Sequence, residues 1–191
     1  MGLLTKFDLK AYMEEYNAKT FIETGTCFGE GVQYAATFNF DKIYSIEYME
    51  SFYLNCKKKF SYDSRIEIIN NKSTDGLIDL FENNNMGNIV FWLDAHYPYD
   101  DHNSGELEIR LPLEMELEII KKYRKSNNDV ILIDDLRIYE EGNFSLGNLP
   151  QHIDRTGYGN IEFVYKLFSE SHTITKDYEH QGYIILIPKQ K

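Results

Sequence analysis

Thr20-Phe21-Ile22-Glu23-Thr24-Gly25-Thr26-Cys27-Phe28-Gly29-Glu30-Gly31 is the stretch that decides the fold. A short β-branched and aromatic run, Thr20–Glu23, ends in an acid, meets three glycines and opens into a helical segment, Gly31–Phe38. Such a bend belongs at the carboxyl edge of a parallel sheet, where open α/β folds bind ligands. Glycine serves there because it takes backbone angles that a Cβ forbids and lets main chain approach a ligand closely.

Outward from this turn the same alternation continues. Strands are expected at Lys42–Glu47, Ile66–Asn70, Ile89–Asp94 and Val130–Asp134, and helices at Met49–Phe60, Thr74–Glu82 and Pro112–Tyr123. Strands separated by amphipathic helices predict an α/β fold with a parallel sheet covered by helices. The helix from Pro112 has the clearest signals: proline in its first turn, Leu113, Leu117 and Ile120 on one face, and Glu114, Glu116 and Glu118 near its positive end. A Gly- and Asn-rich loop then runs from Asp135 to about Asn160, followed by a short helix, Ile161–Phe168. The last two strands, His172–Lys176 and Tyr183–Pro188, lie so close in the chain that only a hairpin can join them. The stretch up to Lys19 reads as an amphipathic helix with Phe7, Ala11, Met13 and Tyr16 on its less polar side, placed to cap a ligand or close a substrate site.

At 191 residues, with no internal repeat and no Pro-, Gly- or Ser-rich linker, the chain 1–191 is expected to form one domain. Its apolar content of 42% suffices for a core, and no apolar run approaches the roughly 20 residues of a membrane span. No membrane partner is expected, and the absence of a signal-peptide pattern at the start predicts the cytoplasm. Cys27 and Cys56 lack metal-ligand spacing and give no support to a disulfide framework or a zinc knuckle. A formal charge of −11 without a stripe of Lys and Arg sets nucleic acid aside as a partner. The densest basic run, Lys57-Lys58-Lys59, falls late in an expected helix and complements its dipole. A homo-oligomer is compatible with the sequence, which does not specify one.

The glycine spacing narrows the ligand. A dinucleotide fingerprint, G-x-G-x-x-G, fails: from Gly29 its third glycine position holds Tyr34, and from Gly25 its second holds Cys27. The G-K-[ST] end of a phosphate-cradling loop is missing throughout the chain. Glu23 and Glu30 would repel a pyrophosphate and suit a ligand that carries an ammonium and a sulfonium. About 24 residues after Glu23, the second strand ends in Glu47, where a carboxylate can accept both hydroxyls of a ribose.

The spacing E-x-G-x-x-x-G-x-G over Glu23–Gly31 resembles the first motif of class I S-adenosylmethionine (SAM)-dependent methyltransferases. The resemblance extends over essentially the whole chain through the order of strands and helices. It implies a Rossmann-like sandwich: a mostly parallel seven-stranded sheet with a C-terminal antiparallel hairpin strand and helices on both faces. On that resemblance SAM is the cofactor, held by Glu23, Thr24, Gly25, Thr26, Gly29, Gly31, Glu47, Ser73 and Asp94. Near the adenine the family has a polar or acidic residue, and Asn71 and Ser73 stand there in this chain, while Lys72 departs from the pattern.

The fourth strand ends in Asp94-Ala95-His96-Tyr97 and the fifth in Asp134-Asp135. If the two strands are neighbours, three carboxylates converge, a set of hard oxygen ligands suited to Mg²⁺ or Mn²⁺. This resembles metal-dependent O-methyltransferases, including the macrocin O-methyltransferase type that acts on sugar hydroxyls, and implies Asp94, Asp134 and Asp135 as metal ligands. The 40 residues between Asp94 and Asp134 exceed that pattern, the excess lying in an acceptor-side insertion at 95–111. Asp134 or Asp135 could instead cap a turn, and Asp94 could bind backbone amides. Asp94 and His96 are the expected catalytic residues, His96 as general base or extra ligand because imidazole titrates near neutrality. Tyr97, Tyr99, His102, Arg137 and His180 are candidates for the acceptor side.

The expected reaction is methyl transfer from SAM to a hydroxyl of a sugar or nucleotide-activated sugar, assisted by a divalent cation. A catechol-like vicinal diol satisfies the same chelation. A nicotinamide-dependent Rossmann oxidoreductase and a non-catalytic SAM-binding subunit are the rivals. The first would bind NAD and not S-adenosylhomocysteine; the second would tolerate loss of Asp94.

Overall fold

Seven strands hydrogen-bond into one sheet in the computed structural model of the chain, which describes residues 3–96, 107–125, 128–151 and 159–189. In chain order they are β1 (Ala18–Thr24), β2 (Lys42–Glu47), β3 (Ile66–Asn70), β4 (Asn88–Leu93), β5 (Val130–Ile133), β6 (His172–Asp177) and β7 (Tyr183–Pro188). Their spatial order is β3-β2-β1-β4-β5-β7-β6. The first five run parallel, and β7 lies antiparallel between β5 and β6. This is the expected mixed sheet with its C-terminal hairpin. The winding reverses between β1 and β4, so the crevice beyond their carboxyl ends is the place for a ligand.

Helices cover both faces. They are α1 (Leu9–Tyr16), α2 (Glu30–Ala35), α3 (Glu50–Lys59), α4 (Ser73–Asn83), α5 (Leu107–Arg110), α6 (Leu113–Tyr123) and α7 (Glu162–Phe168). Successive residues of a strand point to opposite faces, so Phe21, Val90 and Trp92 pack with α2 and α3, while Ile22, Phe91 and Leu93 pack with α4 and α6. Burial on both faces is why the central strands read as unbroken apolar runs, Ile89–Leu93 and Val130–Ile133. No described helix is long and apolar enough to cross a membrane.

Two expectations need correction. The N-terminal stretch is not one helix to Lys19: a 3-10 turn, Leu4–Lys6, breaks at Phe7, and Asp8 caps α1 by accepting the Ala11 N–H at 3.0 Å. The helix stops at Asn17, whose left-handed φ of 48° asparagine tolerates, and β1 starts at Ala18. The break exists because Phe7 is pinned on Trp92 and Tyr183, at ring distances of 6.0 and 5.3 Å. The stretch after Asp135 is not bare loop, since a 3-10 turn, Leu136–Ile138, opens it and Leu136, Ile138, Phe144 and Leu149 pack into the core. Glu116 stands in the first turn of α6 as expected, and it is also fully buried. Within the 95–111 insertion, Ala95, His96 and 107–111 are described; Tyr97, Tyr99 and His102 lie outside the described residues.

Candidate cofactor and metal site

The glycine turn is shaped by contacts at two positions. Gly25 has φ +84°, and a Cβ on it would come within 2.4 Å of the Asp94 carbonyl oxygen, so only glycine lets the end of β1 close against the end of β4. At Gly31 a Cβ would stand 1.8 Å from Glu23 Oε1, so glycine in the first turn of α2 makes room for the Glu23 side chain. Gly29 precedes α2 as its cap.

Glu23 is 2% exposed. Ser45 Oγ donates to Glu23 Oε2 at 2.5 Å, and Thr26 Oγ1 lies 2.6 Å from Ser45 Oγ. Burial pushes the Glu23 carboxyl up to about 8, against the pull of Ser45, with the Glu47 charge adding to the rise. Glu47 is pinned in turn: its Oε2 accepts the Cys27 N–H at 2.8 Å and its Oε1 the Met49 N–H at 2.7 Å. The carboxylate at the end of β2 thereby ties the glycine turn to the next loop.

A cavity of about 290 Å³ opens here, lined among others by Glu23, Gly25, Thr26, Gly31, Trp92 and Asp94 and covered by residues 3–5. Its size is at the lower end of the roughly 300–1,000 Å³ usual for ligand pockets. The N-terminal segment that covers it is latched to the C-terminal hairpin, with Lys6 Nζ 2.5 Å from both Asp177 and Glu179 and the Leu3 N–H donating to Tyr183 Oη at 3.1 Å. Of the expected cofactor residues, Glu23, Gly25, Thr26, Gly31 and Asp94 border the cavity. Thr24, Gly29, Glu47 and Ser73 are not among the residues that line it.

The acidic edge follows from strand register. β4 pairs β5 with Leu93 opposite Ile133, and the Asp134 N–H donates to the Leu93 carbonyl at 3.1 Å, so Asp94 and Asp134 leave the sheet side by side. Asp135 sits at a left-handed φ of 59°, an uncommon angle for a residue with a Cβ, and its turn points the carboxyl back to its neighbours. One oxygen from each of Asp94, Asp134 and Asp135 falls within 4.8 Å of the other two. At an effective dielectric of about 20, charges this far apart repel by about 3 kcal/mol per pair. Burial, then the charges of Asp134, Asp135 and Glu23, hold Asp94 well above the usual carboxylate range, and Asp135 rises to about 7 from burial and Asp134. Three carboxylate oxygens at this spacing fit a hard divalent cation.

His96 is 6% exposed, its ring edge-on to Tyr139 at 6.1 Å, and neither nitrogen has a hydrogen-bond partner among the described residues. Burial pushes it down to about 4, so it is neutral at pH 7 and a weaker base than a free imidazole. It is not one of the three clustered ligands. Arg137 lies close enough to Asp135 to pull its carboxyl pKa down, and His180, at φ 53°, contacts the Tyr183 ring at 6.3 Å. Ser45, Trp92 and Glu116 are site neighbours that sequence reasoning missed. For Glu116 a signal existed: it shares the face of Leu113, Leu117 and Ile120 by the three- and four-residue spacing of a helix.

Neither a protein-family profile nor a curated protein matches the sequence. Solved structures do match. A Staphylococcus aureus protein assigned as a caffeoyl-CoA O-methyltransferase superposes with a TM-score of 0.65 at 15% identity, over 99% of this chain and 85% of its own. TomG, an O-methyltransferase of Streptomyces achromogenes involved in tomaymycin synthesis and solved with SAM, gives 0.61 at 16% identity, over 95% and 78%. An O-methyltransferase of Bacillus cereus, solved with S-adenosylhomocysteine, gives 0.59 at 16% identity, over 95% and 79%. Similarity at this level of identity speaks for shape and not for a shared substrate. The chain has the fold of the class I SAM-dependent methyltransferases.

Proposed function

We propose that this protein is a SAM-dependent O-methyltransferase, assisted by Mg²⁺ or Mn²⁺, that methylates a hydroxyl of a sugar or nucleotide-activated sugar in polysaccharide or natural-product biosynthesis. The observation that carries the proposal is the convergence of Asp94, Asp134 and Asp135 against the glycine turn, inside a fold that O-methyltransferases share. Glu23 places a buried carboxyl where the ammonium of the cofactor would be received, and an arriving positive charge favours its ionised form. When bound, SAM supplies an electrophilic methyl group, and a cation on the three aspartates supplies the charge that acidifies and orients a chelated hydroxyl.

The protein's own part is mainly positioning. Asp94 links the two halves, since its backbone closes on Gly25 and its carboxyl belongs to the acidic trio. His96, neutral and with open ring nitrogens among the described residues, is the candidate to take the hydroxyl proton. Because burial makes it a weak base, the hydroxyl must already be acidified when it reaches the ring. A catechol-like diol is a second reading, favoured by the likeness to a protein assigned as a caffeoyl-CoA O-methyltransferase.

Calorimetric titration with S-adenosylhomocysteine, with and without chelator, followed by a methylation screen over sugar nucleotides and catechols, tests the proposal. Binding of the cofactor product and chelator-sensitive methylation are expected. A protein that binds NAD and not S-adenosylhomocysteine would refute it, and chelator-insensitive methylation would remove the metal.

A further inference from the structure

The cavity beside the glycine turn has a floor and a roof of different make. Its floor, with Glu23, Gly25, Trp92 and Asp94, is built on the hydrogen-bonded ends of β1 and β4. Its roof is Leu3, Leu4 and Thr5, from the 3-10 turn and the residue before it. Behind this turn the chain is fixed: the Phe7 ring lies on Trp92 and Tyr183, Tyr34 Oη donates to the Phe7 carbonyl at 2.9 Å, and Asp8 caps α1.

The turn itself spans the crevice between two anchors. Leu4 is buried and reaches the α2 side, its Cδ2 3.6 Å from the point where a Cβ on Gly31 would stand. Lys6 reaches the C-terminal hairpin: its Nζ is 2.5 Å from Asp177, the last residue of β6, and 2.5 Å from Glu179, in the turn before β7. It also stands 5.3 Å from the centre of the Tyr183 ring, and the Leu3 N–H closes the same side by donating to Tyr183 Oη at 3.1 Å.

Sealing the segment onto the core does not call for Lys6, because Phe7 and Leu9 are buried and do that. Lys6 holds the part that lies over the cavity. Its side chain is 22% exposed and that of Glu179 67%, so solvent reaches the contact and screens it. Opening the turn frees this contact and one buried side chain, Leu4, and leaves the Phe7 packing in place.

We propose that residues 3–6 are a gate over the cofactor cavity, hinged at Phe7 and latched by Lys6 on Asp177 and Glu179. The closed turn blocks entry and exit alike, so the latch sets how fast the ligand exchanges and not how tightly it is held. What passes the gate rests on the SAM reading of the site; the gate itself rests on the cavity and the latch.

Trp92, the only tryptophan of the chain, lines the cavity and supplies the readout. Its fluorescence gives the association and dissociation rates of S-adenosylhomocysteine, and its quenching by acrylamide reports access to the ligand-free cavity. Lys6→Met should raise both rates by about fivefold, the upper worth of an exposed ion pair, and leave the calorimetric Kd within about twofold. Quenching of the ligand-free variant should rise with them. The pair Asp177→Asn and Glu179→Gln should do the same, and adding Lys6→Met to it should do no more. Added salt should speed exchange in wild type more than in Lys6→Met. Rates and quenching unchanged in Lys6→Met, or a Kd that rises with association unchanged, would overturn the inference and leave the SAM reading intact. A wild type that does not bind S-adenosylhomocysteine, with quenching still raised in Lys6→Met, would sink the SAM reading and uphold the gate. No binding together with unchanged quenching would overturn both.

Discussion

Two buried aspartates flank β5, and the protein treats them in opposite ways. Asp129, just before the strand, accepts from Arg124 Nε at 2.9 Å, from an Arg124 terminal nitrogen at 2.8 Å and from the Ile89 N–H at 2.8 Å. Arg124 goes on to donate to the carbonyls of Met86 and Gly87, and the His172 ring bonds the Asp129 carbonyl at 2.9 Å. Asp134, just after the strand, is equally buried and stands with two more aspartates. At the amino edge a buried carboxyl is met by an arginine and a backbone N–H, although burial still holds it above the usual carboxylate range. At the carboxyl edge three acidic side chains are gathered instead, the kind of cluster that marks a candidate site, at the other end of the same four-residue strand.

The sharpest way to break the comparison is to remove the cation at the amino edge. Arg124→Ala leaves Asp129 buried without its partner and should cost about 3–5 kcal/mol in denaturant unfolding. A change within 1 kcal/mol would mean that the closed edge does not hold the fold.

The next effect is on pH. Without metal or cofactor, Glu23 (about 8), Glu116 and Asp135 (each about 7) keep protons that the unfolded chain releases near 4 to 4.5. Their folded values are raised, so stability is full below the unfolded range and is lost as pH rises through 7 to 8. Glu23→Gln should flatten this loss by on the order of 3 kcal/mol between about pH 5 and 8.5, read from chemical unfolding at each pH. A wild-type protein equally stable across that range would show that these carboxyls ionise freely.

Smaller still, Gly31→Ala places a methyl against Glu23 Oε1 and should cost about 1–3 kcal/mol, with weakened S-adenosylhomocysteine binding. Unchanged binding would show that Glu23 can leave its place without consequence for the ligand.

Much of the site was legible because strand ends carry it. An acid at the end of each of two apolar runs was enough to expect the aspartate cluster, and neighbouring strands in parallel register delivered it. The turn at Glu23–Gly31 was legible from spacing and charge. Glu116 was half-hidden: its spacing puts it on the face of Leu113, Leu117 and Ile120, but glutamates at a helix start are usually dipole partners, and packing against α4 decides. The break at Phe7 was hidden for a similar reason: its cause is contact with Trp92 and Tyr183, both remote in sequence. Asp129 and Arg124 gave no pattern, since their pairing depends on how the chain leaves α6 and enters β5.

The central claim, that Asp94, Asp134 and Asp135 are built to hold a cation, is tested most directly by thermal unfolding of wild type and Asp134→Asn with and without Mn²⁺. Without the ion, Asp134→Asn should be more stable than wild type by about 1–3 kcal/mol, because one repelling charge is gone. With the ion, the wild-type midpoint should rise and that of Asp134→Asn should stay where it was. An Asp134→Asn protein less stable than wild type in chelator, or one that Mn²⁺ stabilises as much as wild type, would contradict the claim.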